Sequence, residues 1–213
     1  MAHGGLEWKQ GGWHSRDPEK HYSGKLLWEA EKLYAMIREL QPEVILNDRA
    51  ASYGDWQGDF STLEKRIGAF NTQRPWETCD TLCDSWSYTP NDRMKSLRAC
   101  VQLLVSCAVG DGNLLLNEGP RAQGSLEPRA VRRLKEVGQW LDQYGESIYG
   151  TRGGPFPYGE WGGCTQRGNK IYVHVLNWTE DEVELPPLQR RILSSRGLTA
   201  SQVKVDSWGI LRC

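Results

Sequence analysis

No window of the sequence approaches the roughly 18 consecutive apolar residues of a membrane span, so no spanning helix is expected. Charge of one sign is missing too: 26 Lys and Arg stand against 27 Asp and Glu, a formal balance of -1. A balanced chain carries no electrostatic footprint for nucleic acid or an anionic membrane, so neither partner is expected. The first ten residues hold no apolar run of the signal-peptide kind, and no signal peptide is expected. Cys79 and Cys83 are followed by no second Cys or His pair at zinc-ligand spacing, so no metal is expected, nor any other cofactor. The six cysteines are an even number, yet a chain of 213 residues can bury a core without staples. Cys79, Cys83, Cys100, Cys107, Cys164 and Cys213 are therefore read as free thiols, mostly buried.

What is present fits a globular chain: 38% apolar and 25% charged residues, with 10 Trp and 23 Gly against only 3 Phe. Trp, Tyr and Arg on Gly-rich loops suit stacking against flat apolar faces such as those of sugars, while core filling explains any single Trp equally well.

Residues 1–23 read as loop. Ser23 is placed to cap a helix over 24–40, with Leu26, Leu27, Leu33, Ile37 and Leu40 as its apolar face and Pro42 as its stop. Val44-Ile45-Leu46 reads as a short buried strand running into Asn47-Asp48-Arg49, and residues 50–60 as loop. Ser61-Thr62-Leu63-Glu64 has the form of a capping box opening a turn. Residues 69–92 show little periodicity. A helix is expected over about 94–109, a strand over 114–117, and a second long helix from Ser125 to Tyr144, with Pro128 near its start and Gly145 past its end. The glycines and prolines of 153–163 read as a linker or loop. Strands are then expected at 170–178, 182–185, 190–195, 202–206 and 209–212. Alternating helix and strand followed by strands alone predicts an α/β part over 1–150 and a β-sheet part over 151–213. A complete (β/α)₈ barrel needs about 250 residues and a small sandwich about seven strands, so both parts are expected to be incomplete.

Trp76-Glu77-Thr78-Cys79, Ser85-Trp86-Ser87-Tyr88, Gly112-Asn113-Leu114-Leu115-Leu116-Asn117-Glu118-Gly119-Pro120 and Gly138-Gln139-Trp140-Leu141, with Gly145-Glu146-Ser147-Ile148-Tyr149-Gly150, occur in order. Upstream stand Leu40-Gln41-Pro42-Glu43-Val44-Ile45-Leu46-Asn47-Asp48-Arg49 and Gly58-Asp59-Phe60-Ser61-Thr62. In these runs the chain resembles the α-L-fucosidases of glycoside hydrolase family 29, from about residue 28 to 178. The resemblance implies the C-terminal portion of a (β/α)₈ TIM-like barrel, then a partial antiparallel β-sandwich. It implies a retaining hydrolase that removes terminal α-linked L-fucose from an oligosaccharide or glycoconjugate. Such chemistry needs two carboxyl groups about 5–5.5 Å apart, one attacking the anomeric carbon and one protonating the leaving oxygen. Glu77 matches the general acid/base of some members, and a carboxyl directly after Trp76 in a Trp/Tyr-rich loop is a candidate for desolvation and a raised proton affinity. Arg49 matches a residue that contacts the fucose ring, where a guanidinium offers forked donors to vicinal hydroxyls. Trp76, Trp86 and Tyr88 would complete the substrate-binding set, and Asn117 is expected to order loop backbone.

The resemblance breaks at the nucleophile, an Asp in a Trp-aromatic-Asp-Gly run, which this sequence does not contain. Two alignments stay open: Gln10 occupies that position, or the position precedes Met1. His3, His14 and His21 fall outside the family's sugar-binding motifs. Asp17, Asp48, Asp55 and Asp59 lack the nucleophile's context, and Glu118 stands where the family has an apolar residue. The 213 residues alone are expected to be inactive. The alternative is a non-catalytic truncated fragment that at most binds a carbohydrate or a partner. Independently of that choice, unpaired strand edges invite homo-association. Linkage preference and compartment stay open.

Overall fold

The structure is a computed structural model that describes residues 6–9, 12–15, 30–50, 58–156, 158–178, 182–188, 190–199, 204–205 and 210–212. The chain divides into two compact units, Met1–Leu63 with Gln73–Glu77 and Glu64–Thr72 with Thr78–Cys213.

In the first unit, β1 (Leu6–Lys9) and β2 (Gly12–Ser15) pair antiparallel from Lys9↔Gly12 to Leu6↔Ser15. These residues were expected to be loop. Only Gln10-Gly11 separates the strands, and Gly in a two-residue connection is a hairpin signal. Helix α1 covers Ala30–Leu40, and the expected residues 24–29 lie outside the described ones. Its expected apolar face is not the buried one: Leu40 is 73% exposed, whereas Tyr34 is buried and its hydroxyl donates to Asn47 O. A Tyr buries its ring where its hydroxyl finds an acceptor, and the carbonyl after Leu46 supplies one. Val44–Leu46 forms no strand, only a parallel bridge Asn47↔Phe60 beyond it. Side chains take the backbone groups a ladder would use: Arg38 Nη1 donates to Val44 O, and Leu46 N donates to Asp59 Oδ2 at 2.6 Å.

Ser61–Glu64 is strand β3, not a capped turn. Ser61 N donates to Pro75 O at 3.0 Å and its hydroxyl accepts from Arg74 Nε at 2.9 Å, so no helix N–H competes for it. Trp76–Thr81 is strand β4, inside a stretch expected to be irregular. Trp76, Thr78 and Thr81 are buried, whereas Glu77 and Cys79 are half-buried. Alternation holds from Trp76 to Cys79, carried by Trp and Thr instead of aliphatic residues, and breaks at Asp80 and Thr81, where burial passes to the other face.

β4 lies between β3 and β5 (Asn113–Asn117) in one three-stranded sheet. Helix α2 (Leu97–Val109) connects β4 to β5, and Ser96 caps it by accepting from Ala99 N at 3.1 Å. Met94, expected inside this helix, bridges Cys83 instead. Helix α3 (Pro128–Tyr144) follows, with Glu127 rather than Ser125 at the N-cap. Leu82, Cys100 and Ala130 form a core with Met94, Leu116, Leu134 and Val137. Strand, helix, strand and helix in succession make this an α/β fold, and the described residues do not close a barrel.

From Arg152 onward the described elements are strands. β6 (Arg152–Gly153), β7 (Gly162–Arg167) and β8 (Lys170–Val175) pair antiparallel in that order. β7 begins inside the expected linker. A Cβ on Gly162 (φ +140°) would lie 2.0 Å from His174 O, so this glycine serves close strand approach rather than a loop. β9 (Glu182–Glu184), β10 (Lys204–Val205) and β11 (Ile210–Arg212) form a second antiparallel sheet ordered β10-β11-β9. No strand forms over 190–195. Phe156, Cys164, Val183 and Leu185 make the core here. The turn after α2 is tied to β6 by Asp111, whose Oδ2 accepts from Arg152 Nη2 at 2.6 Å and whose Oδ1 accepts from Gly153 N at 2.6 Å. Burial pushes the Asp111 carboxyl up, but the bonds from Arg152 and Gly153 outweigh it and hold the group below its usual range.

Cys83, Cys100, Cys107 and Cys164 are buried free thiols, and Cys79 is half-buried. Burial pushes the Cys107 thiol up to about 11. No helix among the described residues is long and apolar enough to cross a membrane.

Thr165 Oγ1 donates to Ser147 O at 2.6 Å and so must accept from His174 Nε2, 3.1 Å away, which fixes the neutral Nε2–H tautomer. Burial lowers the His174 pKa from 6.5 to about 4. Between those values the unfolded chain binds a proton that the folded chain refuses. The stability is full above pH 6.5 and is lost as the pH falls toward about 4. Urea titrations should show His174→Gln flattening the loss between pH 7 and pH 4 by on the order of 2 kcal/mol. Parallel pH profiles for the two proteins would contradict this.

Candidate functional site

Arg49 follows the Asn47↔Phe60 bridge, in the short 3₁₀ turn Asp48–Ala50. Its backbone N donates to Asn47 Oδ1 at 3.1 Å, and its Nε donates to Thr62 Oγ1 at 2.8 Å. Thr62 in turn donates its hydroxyl proton to Asp48 Oδ1 at 2.7 Å and its backbone N–H to the same oxygen at 2.9 Å. Asp48 is 1% exposed. One buried carboxylate thus fixes Thr62, and Thr62 fixes Arg49.

Trp76 and Glu77 are neighbours on β4 with opposite faces. Trp76 is 3% exposed, so its ring is core of its unit. Glu77 is half-buried on the other face of the strand, not on a loop.

Trp86 and Tyr88 ride on a loop whose stem is built like a hairpin. Cys83 bridges Met94, and Asp84 N donates to Arg93 O at 3.1 Å. Asp84 takes Arg93 through two bonds of 3.0 and 3.2 Å. Asp92 Oδ2 accepts from Ser85 N at 2.8 Å, and that backbone bond is the main cause holding the Asp92 carboxyl below its usual range. The tip turns at Thr89-Pro90-Asn91-Asp92, where Asn91 takes φ +60° and Asp92 N donates to Thr89 O at 3.3 Å. Asn117 Nδ2, at the end of β5, donates to Trp86 O at 2.8 Å and so orders this loop. Lys65 Nζ donates to Asp84 O at 2.6 Å and lies 5.2 Å from the Trp86 ring centroid, and Arg121 sits 5.6 Å from that of Tyr88. Trp86 is 38% exposed and Tyr88 half-buried.

A Cβ on Gly119 would lie 2.3 Å from Tyr88 N and 2.6 Å from Ser87 C. Both are backbone atoms, so Gly119→Ala must displace the loop and should cost about 1–3 kcal/mol. Gly138 on α3 has nothing within 4 Å of the same position, so Gly138→Ala should stabilise by about 0.5–1 kcal/mol. Opposite movements of the two denaturation midpoints would support the packing described; a neutral Gly119→Ala would contradict it.

The remaining carboxylates have their own partners or surroundings. Asp59 takes Arg38 Nη2 through bonds of 2.6 and 2.5 Å, which with Leu46 N holds its carboxyl below the usual range. Burial, with the charge of Glu127, pushes the Glu118 carboxyl above its usual range. Gln10, Asp17 and Asp55 lie outside the described residues. Among the described residues no group of three or more His, Cys, Asp or Glu side chains is placed to hold a metal.

Sequence reasoning missed Thr62, Lys65, Gly119 and Arg121 as site-shaping residues. Thr62 stood in a quoted motif, but only as an interior residue of the expected capping box Ser61–Glu64. The other three act across distances of 19 residues or more, which spacing along the chain does not display.

Comparison with known proteins places these residues in context. The alpha-L-fucosidase family model matches residues 4–146. An alpha-L-fucosidase of Dictyostelium discoideum is 32% identical over 148 residues, 66% of this chain and 32% of that protein. The tissue alpha-L-fucosidase of Homo sapiens is 27% identical over 190 residues, 84% of this chain and 39% of that protein. Among solved structures, alpha-L-fucosidase isoenzyme 1 from Paenibacillus thiaminolyticus superposes with a TM-score of 0.76 at 32% identity, covering 90% of this chain and 51% of that one. The chain spans between 32% and 39% of the length of these two curated relatives.

Proposed function

The chain belongs to the α-L-fucosidase family, and from that premise we propose that it carries the acid/base and sugar-gripping portion of a retaining α-L-fucosidase. The observation behind this reading is that the family match over 4–146 contains every candidate site residue: Arg49, Trp76, Glu77, Trp86 and Tyr88. The substrate is a fucosylated oligosaccharide or glycoconjugate. Glu77 protonates the leaving oxygen and then activates water. Arg49 grips vicinal hydroxyls. Trp86 and Tyr88 offer aromatic faces to the sugar, and buried Trp76 backs the strand that presents Glu77.

In this reading residues 1–150 are the C-terminal portion of a (β/α)₈ barrel, and 151–213 belong to a β-sandwich. The β6-β7-β8 and β10-β11-β9 sheets support the second part. The nucleophilic carboxylate is not among these residues, so the 213-residue chain alone is inactive. A longer protein that joins these residues to such a carboxylate should release the aglycone from an aryl α-L-fucoside and spare the β-anomer. Activity on other glycosides with none on the α-L-fucoside would overturn the assignment.

A second reading, non-catalytic binding of a partner or sugar, is favoured by apolar side chains in water: Leu40 and Ile45 are 73% and 74% exposed. On that reading the chain self-associates through the edges of the β3-β4-β5 sheet. Size-exclusion chromatography showing only monomer across concentration would count against it.

A further inference from the structure

We propose that Thr62 is a positioning residue for substrate: its hydroxyl, anchored on buried Asp48, sets the direction in which Arg49 meets the sugar. The inference rests on the reading of Arg49 as a sugar contact.

The proton directions are forced. Arg49 Nε can only donate, so across the 2.8 Å contact Thr62 Oγ1 accepts. The hydroxyl's single proton then goes to Asp48 Oδ1, 2.7 Å away, which as a carboxylate oxygen accepts. The same oxygen accepts Thr62 N at 2.9 Å, so side chain and backbone of Thr62 are held by one atom. Asp48 at 1% and Thr62 at 5% exposure lie out of water, which strengthens both bonds. Asp48 and Arg49 are consecutive, and Asn47 Oδ1 accepts the Arg49 backbone N–H at 3.1 Å, so the Arg49 backbone and, through Thr62, its Nε are both referred to the Asn47–Asp48 turn.

A guanidinium is planar, so a bond at Nε fixes the plane and with it the direction of the Nη edge. An unrestrained Arg carries about 2 kcal/mol of rotamer entropy, which binding would otherwise have to overcome. Threonine suits the task better than serine because its branched Cβ restricts χ1. Valine has the same shape and offers no acceptor. A purely structural Thr62 would tolerate that exchange without any change at Arg49.

The test follows the Arg49 Nε–H signal by NMR in the 213-residue chain, with and without L-fucose. Thr62→Val should speed exchange of that proton about tenfold, the factor expected for one lost hydrogen bond, and weaken the L-fucose response by a similar factor. Thr62→Ser should stay within about twofold of the parent in both readouts. If Thr62→Val does not fold, Asp48→Asn replaces it: the neutral amide is a weaker acceptor, and exchange at Arg49 should again rise. Exchange unchanged in Thr62→Val or Asp48→Asn, or as fast in Thr62→Ser as in Thr62→Val, overturns the positioning role. A protected Nε that shows no response to L-fucose in the parent overturns the sugar role of Arg49, and this proposal with it. The two failures are thus told apart by exchange without ligand.

Discussion

An aryl α-L-fucoside incubated with the purified 213-residue chain should be hydrolysed at the uncatalysed rate, and intact-mass analysis after a mechanism-based fucosyl inhibitor should show no adduct. Retaining chemistry divides one difficult displacement into two easier ones through a covalent glycosyl-enzyme. That needs a carboxylate on the ring face opposite the acid/base. None of these residues has the family's Trp-aromatic-Asp-Gly context, and the two described aspartates flanking Arg49 are otherwise committed. Asp48 holds Thr62, and Asp59 holds Arg38 and Leu46 N. Gln10 would present a neutral amide, a poor nucleophile. Glu77 cannot both attack the anomeric carbon and protonate the leaving oxygen across the ring. Robust turnover, or an adduct on any carboxylate of the chain, would show that the nucleophile lies within it, with Asp48 and Asp17 the first to substitute.

The second large effect belongs to Glu77 in an active protein that contains these residues. Glu77→Gln should lower turnover of fucosides with poor leaving groups by about 10²–10⁴-fold, the usual worth of a positioned general acid. Activated aryl fucosides should lose far less in glycosylation, because their leaving group needs little protonation. The ratio of kcat/KM for the two substrate types reads the difference directly. Equal losses on both would make Glu77 a binding or structural residue.

How far the sequence discloses this arrangement depends on the range of the interactions. The helices Leu97–Val109 and Pro128–Tyr144 and the strand Asn113–Asn117 were legible because their apolar periodicity and end residues are local signals. Ser61–Glu64 misled because a Ser-x-x-Glu run serves either a helix cap or a strand, and the choice fell to the Pro75 carbonyl and the Asp48 carboxylate. β7 was hidden because glycines that permit close strand approach look the same in sequence as glycines that loosen a linker. The residues Arg49, Glu77, Trp86 and Tyr88 could be nominated from motif order alone. The supports of Arg49 and the aromatic loop could not, since Thr62, Lys65 and Gly119 reach across the chain to their targets. A burial argument for Leu33 and Leu40 failed: they are 38% and 73% exposed, and the buried residue of this helix is Tyr34, whose hydroxyl reaches Asn47 O across 13 residues.

The measurement that bears most directly on the claim that these residues grip α-linked L-fucose is an NMR titration of the chain with L-fucose and, separately, with its mirror image D-fucose. The account predicts saturable shifts of the Arg49 guanidinium and Trp86 indole signals with L-fucose and none with D-fucose. Equal responses to the two sugars, or none to L-fucose, would contradict it.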